Sequence, residues 1–469
     1  MRYISTRGGL LGPYSDTLIE GLAPDGGLVV PEELPRLDAE LLERWRPLDY
    51  AGLAKEVIGL FATNIPREEL SRICRAAYRP EAFASSQIVP LREIDGGMTL
   101  VGLSEGPTLA FKDMAMRFLG ETLDVVLRES DRVLNVLGAT SGDTGSAAEH
   151  ALRGRERLAV FMLSPLGRMS AFQRAQMYSL LDDNVHNVVV DGVFDDCQNL
   201  VKRIAEDLEF KRVHSLGAVN SINFGRISAQ IAYYVWAWLR ATDARGPAEV
   251  SFAVPSGNFG NILSGHYARR MGLPVRRLVL ATNENNVLDD FFRTGRYRPR
   301  SAADTLPTSS PSMDVSRASN LERFVFDLIG RSAERTAAAW RELEATGEID
   351  LSAEQHRFLP EFGIVSGTST HADRLATIRA VAESSGVTID PHTADGVKVA
   401  RPLVEPGVPM LVLETAKPEK FPETIAEALG VAPTPDTATR ALLNAAQRVT
   451  ALPNDEGQLR ALIAERALR

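Results

Sequence analysis

RVLNVLGATSGDTGSAAEHALRGRERLAVFMLSP, from Arg132 to Pro165, is the stretch that sets the fold. An apolar run (RVLNVLG, Arg132–Gly138) gives way to a small-residue turn, a helical pattern (SAAEHALRG, Ser146–Gly154) and a second apolar run (LAVFMLS, Leu158–Ser164). The alternation continues through MSAFQRAQMYSLL (Met169–Leu181), HNVVV (His186–Val190) and DDCQNLVKRIAEDL (Asp195–Leu208). Short strands separated by helices imply βαβ units and a parallel sheet. A second series begins at EVSFAVPSG (Glu249–Gly257) and runs through NILSGHYARRMG (Asn261–Gly272) to VRRLVLATN (Val275–Asn283). The expected fold class is α/β, with two open parallel-sheet domains.

Upstream, GLAPDGGLVVPEELP (Gly21–Pro35) is turn-rich, and LAKEVIGLFA (Leu53–Ala62) and REELSRICRAAY (Arg67–Tyr78) carry helical spacing. The expected organisation is a small, mostly helical N-terminal domain over 1–90, an α/β domain over 91–240 and a second over 241–469. Residues 296–320 are rich in Ser, Pro and Arg and show no periodicity, so an active-site loop and a solvated linker both remain open.

The 469 residues exceed what one hydrophobic core supports. With 44% hydrophobic and 24% charged residues, the composition is that of a globular protein. A net charge of -9 argues against a general affinity for nucleic acid or anionic membranes. Only Cys74 and Cys197 occur, and the seven histidines show no metal-ligand spacing, so no metal and no disulfide framework are expected. The start, MRYISTRGGL, lacks the apolar core of a signal peptide, and the apolar stretch Ile231–Leu239 is too short to span a bilayer. The expected compartment is the cytoplasm; monomer and homodimer both remain open.

Lys112 stands in GPTLAFKDMAM (Gly106–Met116), behind Leu109, Ala110 and Phe111. Apolar neighbours strip water from an ammonium and favour its neutral form, which attacks aldehydes. That makes Lys112 a candidate Schiff-base lysine; a snorkelling lysine at a helix start is the plain alternative. VPSGNFGN (Val254–Asn261) ends a strand and opens a helix, with Gly257 and Gly260 allowing backbone amides to approach a phosphate. No GK[ST] follows, which excludes an ATPase P-loop. LGATSGDTGSAAEH (Leu137–His150) is a second such junction. Thr140, Ser141, Gly142 and Thr144 suit a carboxylate there, and Asp143 suits a ring hydroxyl or an amine. Its glycines at 138, 142 and 145 do not fit the dinucleotide fingerprint GxGxxG, and the next strand ends in Ser164 and Pro165 instead of an acid.

Softer candidates complete the set. Arg168 follows a strand in SPLGRMSAFQRAQM (Ser164–Met177), where a guanidinium can clamp a phosphate. Asn220, Ser221, Asn223 and Arg226 precede an apolar helix in VNSINFGRISAQIAYY (Val219–Tyr234). MLVLETAKPEKF (Met410–Phe421) reads as a buried strand whose end carries Thr415, Lys417 and Lys420. Asp390, His392 and Thr393 open a helix in DPHTADGVKVA (Asp390–Ala400), as caps or as ligand contacts.

Taken together, these segments resemble the threonine synthases of the long form with an extra N-terminal domain. The resemblance runs from YISTRGG (Tyr3–Gly9) through SEGPTLAFKDMAM, GATSGDTGSAAE, GRMSAFQRAQM, GVFDDCQNLVK, VNSINFGRI, PSGNFGN, SPSMDVSRASNLER and DPHTADGV to LETAKPEKF (Leu413–Phe421). It implies the type II fold of pyridoxal-phosphate enzymes, similar to the tryptophan synthase β subunit, and pyridoxal 5'-phosphate as cofactor. Lys112 matches the lysine that carries the cofactor, Gly257, Asn258, Phe259 and Asn261 match its phosphate cradle, and Thr415 matches the residue near its ring nitrogen. Thr140, Ser141, Asp143, Thr144, Arg168, Asn220 and Lys420 are the expected substrate contacts. Family members often have Asp where Asn261 stands, and His or Leu where Lys417 stands. The implied reaction takes O-phospho-L-homoserine and water to L-threonine and phosphate. Alternatives are a threonine dehydratase or a β-replacement synthase of the same fold, and a catalytically inactive binding homologue.

Overall fold

The structure, a computed structural model, describes residues 1–167, 169–243 and 248–469. Its larger sheets have six and five strands. In order across the first lie Ile364–Thr368, Val275–Thr282, Val250–Pro255, Met410–Leu413, Met98–Val101 and Leu91–Ile94. All neighbours are parallel except the last pair, a hairpin. Thr450–Pro453, Val185–Asp191, Leu158–Pro165, Leu134–Ala139 and Leu216–Gly217 form the second, entirely parallel sheet. Val250–Pro255 and Leu158–Pro165 are buried at every position. Helices covering both faces of a parallel sheet explain why these strands read as continuous apolar runs.

The sheets do not follow the expected cuts at 91 and 241. Met98–Val101 pairs with Met410–Leu413, and Thr450–Pro453 pairs with Val185–Asp191. Each sheet therefore takes in strands from a distant part of the chain, a hairpin in one and the edge strand Thr450–Pro453 in the other, pairings that local periodicity does not encode. In the N-terminal region, Tyr3–Ser5, Leu10–Leu11 and Val29–Pro31 form a three-stranded sheet beside the expected helices. The helix Phe224–Ala241 contains the apolar stretch noted above and is buried around its whole circumference from Phe224 to Leu239, as an all-round apolar helix must be.

Candidate active site

Five loops leave the carboxyl ends of parallel strands and converge, the place where open α/β sheets bind ligands. They follow Met98–Val101, Leu134–Ala139, Val250–Pro255, Val275–Thr282 and Met410–Leu413.

The first loop ends in Lys112, which opens the helix Lys112–Glu129. Asp113 ties the loop into shape by accepting from the Thr108 amide (2.8 Å) and hydroxyl (2.7 Å). The segment is clipped to the last loop: the Phe111 amide donates to the Thr415 carbonyl (2.9 Å), and the Lys417 amide to the Leu109 carbonyl (3.0 Å). Leu109 is held in the left-handed region (φ 55°), as is Phe259 in the third loop (φ 63°). Backbone strain of this kind, roughly 1–2 kcal/mol per residue, concentrates at functional sites.

The half-buried Lys112 amine donates to Ser312 Oγ (3.3 Å). Ser312 in turn donates to Asp143 Oδ2 (2.7 Å), and Lys420 Nζ stands 2.8 Å from Asp143 Oδ1. Burial lowers the Lys112 ammonium to about 8; Asp143 opposes that fall, and Lys420 and Arg226 reinforce it. Burial alone would raise the Asp143 carboxyl. The Lys420 and Lys112 charges, with hydrogen bonds from Lys420 and Ser312, instead hold it well below the ordinary carboxylate range.

Around these groups the expected site residues take different places. Thr140 Oγ1 accepts from the Gly142 and Gly145 amides, both at 2.9 Å, so its hydroxyl braces the loop. Ser141 is exposed and Thr144 half-buried. Gly257 presses against the 311–315 segment: a Cβ there would meet Met313 Cα and Ser312 O at 3.1 Å. The amides of Gly257, Asn258, Phe259 and Gly260 have no acceptor among the described residues. Asn258 O accepts from the Asn320 amide (3.1 Å), while Asn261 Oδ1 accepts the hydroxyls of Tyr233 (2.6 Å) and Tyr234 (3.0 Å). The Asn261 oxygen is thus bound to the helix Phe224–Ala241, and its Nδ2 has no acceptor among the described residues. Thr415 is buried, and its own amide donates to Thr393 Oγ1 (3.0 Å). Lys420 is buried and also donates to the Thr108 carbonyl (2.8 Å). Asn220 is exposed in a turn, where its Oδ1 accepts from the Ile222 amide (3.3 Å). Arg168 lies outside the described residues.

The sequence alone gives Ser312 no role and leaves Arg226 open between a ligand contact and a capping residue. Arg226 is 4% exposed, yet its Nε and Nη1 have no acceptor among the described residues. Burial lowers its guanidinium to about 10. A buried cation without a counter-charge is costly unless an anion is meant to join it. The signal in the sequence is a lone arginine inside the otherwise uncharged, mostly apolar run INFGRISAQIAYYVWAWL. The Gly257-turn amides and the Arg226 guanidinium, without acceptors among the described residues, and a Lys112 amine that holds its proton less tightly than an ordinary lysine together fit an aldehyde cofactor and phosphate groups.

Comparisons with known proteins agree. Residues 103–372 match the family model described as pyridoxal-phosphate dependent enzyme. Residues 2–78 and 393–463 match those of the threonine synthase N terminus and C-terminal part. A threonine synthase of Corynebacterium glutamicum is 52% identical over 99% of this chain and 98% of its own length. That of Methylobacillus glycogenes is 49% identical over 99% and 100%. The crystal structure of pyridoxal-phosphate-bound threonine synthase from Brucella melitensis superimposes with a TM-score of 0.95 at 39% identity, over 100% of both chains. The chain belongs to the threonine synthase family of pyridoxal-phosphate-dependent enzymes.

Proposed function

We propose that the chain converts O-phospho-L-homoserine and water into L-threonine and inorganic phosphate, with pyridoxal phosphate linked to Lys112. The observation that carries the reading is the pairing of a desolvated Lys112 amine with a buried guanidinium, Arg226, whose Nε and Nη1 have no acceptor among the described residues. An amine suits an aldehyde cofactor, and a free buried cation suits a phosphorylated substrate.

When bound, the cofactor supplies an electron sink for negative charge developing on the substrate carbons. The Gly257, Asn258, Phe259 and Gly260 amides, at the start of the helix Gly260–Met271, would hold its phosphate. Thr415 offers a neutral hydroxyl for the ring nitrogen. Asp143, kept ionised by Lys420, accepts the Ser312 hydroxyl, and the Asp143–Lys420 pair itself carries no net charge. Lys112, once released, takes the proton from Cα and moves protons at Cβ and Cγ, the carbon from which phosphate departs. Arg226 binds the phosphate group, and Ser141 and Thr144, at the head of the helix Asp143–Leu152, receive the substrate carboxylate. Asp143 and Lys420 satisfy each other, so we assign them to shaping the site and not to binding a substrate charge. Among the described residues no helix is long and apolar enough to cross a membrane. We place the enzyme in the cytoplasm, as a monomer or homodimer.

The test is release of phosphate and formation of threonine from O-phospho-L-homoserine, with and without added pyridoxal phosphate. Deamination of threonine or serine in the absence of that reaction would overturn the reading.

A further inference from the structure

We propose that Ser312 is a catalytic residue: its hydroxyl, anchored on Asp143, accepts the Lys112 amine whenever that amine is free and carries a proton. The proposal rests on the role of Lys112 given above. It also assigns a function to the Ser/Pro-rich segment 296–320, whose composition distinguishes neither an active-site loop nor a linker.

A serine hydroxyl has one proton to give and lone pairs to receive. Ser312 spends its proton on Asp143 Oδ2 at 2.7 Å, and a carboxylate can only accept. Only lone pairs are left for Lys112 Nζ at 3.3 Å, so the hydrogen bond forms when Lys112 donates. Among the described residues, the charged groups that act on the Lys112 amine are Asp143, Lys420 and Arg226. Two of these are cations, and the carboxylate is already bound at Oδ1 by Lys420. Nearby Asp113 is turned to Thr108. The hydroxyl is therefore the route by which the Asp143 charge reaches Lys112 through a hydrogen bond. When Lys112 takes the substrate Cα proton it becomes an ammonium, and the Ser312 lone pair accepts one of its N–H groups. When that proton is delivered to Cγ, the bond relaxes. Ser312 forms and breaks no covalent bond.

The hydroxyl is fixed in place by three independent attachments. The Ser312 amide donates to His392 Nε2 (3.0 Å), so the imidazole carries its proton on Nδ1, which faces Asp390 Oδ1 at 2.8 Å. Asp390 caps the helix Pro391–Ala400. Two residues on, Asp314 accepts from Asn283 (2.8 Å) and Asn285 (3.0 Å) and from the Thr308 amide (2.9 Å). On the other side Gly257 packs so closely that an added Cβ would stand 3.1 Å from Met313 Cα and Ser312 O. The segment is a wall of the site, and Ser312 is the residue it presents.

The test compares the full-length chain with Ser312→Ala and Ser312→Thr. In the cofactor-loaded enzyme, Ser312→Ala is expected to lower kcat on the order of 10- to 100-fold, the loss of one hydrogen bond to a charged group. KM for O-phospho-L-homoserine should stay within about twofold, and Ser312→Thr should recover much of kcat. In the cofactor-free chain, acetylation of Lys112 by acetic anhydride, followed by mass spectrometry across pH, reads the lysine directly. Loss of the acceptor disfavours the ammonium, so the midpoint in Ser312→Ala should fall by about one pH unit. Superimposable Lys112 acetylation curves and an unchanged kcat would overturn the role of Ser312. Borohydride reduction of the loaded wild-type enzyme separates the two readings. Cofactor trapped on another lysine overturns the role of Lys112 and Ser312 together, and cofactor trapped on Lys112 leaves the Ser312 comparison decisive by itself.

Discussion

Lys420 Nζ stands 2.8 Å from Asp143 Oδ1, with side-chain exposures of 0% and 3%, and so joins a strand-end loop of one large sheet to a strand-end loop of the other. A buried ion pair gains little over apolar packing, but removing one partner leaves the other uncompensated at a cost of about 3–5 kcal/mol. Asp143→Asn and Lys420→Met are each expected to destabilise the chain by that order, and the double variant by less than the sum. Urea unfolding of the four proteins measures the coupling. Additive losses would show that the pair does not hold the two loops together.

The alternating apolar runs suffice for the α/β class, because strands buried on both faces and helices between them leave a local record in each segment. The edges left none. Met98–Val101 and Thr450–Pro453 join sheets built from distant chain, and only tertiary packing chooses those partners. The site divides in the same way. Glycines and small residues mark the turn at Gly257 and the loop at Gly142, so these stand out in any reading of the chain. Nothing local to Ser312 shows that it lies between Lys112 and Asp143, 200 and 169 positions away. Asn261 is held in the same non-local way: Tyr233 and Tyr234 bind its oxygen from another helix, a contact that no local pattern records.

Arg226 makes a prediction in which stability and binding move in opposite directions. In the ligand-free chain its buried guanidinium has no acceptor for Nε and Nη1 among the described residues, so Arg226→Met should leave stability unchanged or raise it. The same substitution should raise KM for O-phospho-L-homoserine by roughly 10- to 100-fold, the worth of a charge-assisted contact. Thermal unfolding without ligand and steady-state kinetics test both signs. A destabilised variant with normal KM would make Arg226 a structural residue.

Lys417, in the loop after Met410–Leu413, is the cation of a cluster of buried carboxylates. Its amine donates to Glu105 Oε1 (2.7 Å) and sits 3.3 Å from both Glu414 oxygens. Burial raises the Glu414 carboxyl despite Lys417, so the cluster needs its cation. Lys417→Met should cost about 1–3 kcal/mol, because two buried carboxylates then face each other with only Arg92 beside them. Adding Glu105→Gln should restore part of the loss. Chemical denaturation of the single and double variants checks this, and an equal or larger loss in the double variant would count against the cluster.

Lys112 links the chemistry to pH. Burial lowers its ammonium from the ordinary 10.5 to about 8, so the nucleophilic neutral amine is the major form of the folded, cofactor-free chain above about 8. The rate at which added pyridoxal phosphate attaches should climb through that region and level off, whereas an ordinary lysine would continue to gain up to 10.5. The same shift has a sign for stability. Between about 8 and 10.5 the unfolded chain holds a proton on this lysine that the folded chain has lost, so stability from this group rises with pH across the window. Lys112→Met removes the amine and with it this contribution. The difference in unfolding free energy between wild type and Lys112→Met, measured without cofactor at pH 7.5 and again at pH 9.5, should therefore move in favour of wild type at the higher pH. A difference that stays constant while cofactor attachment keeps accelerating to pH 10 would mean that the amine is not desolvated in the folded chain.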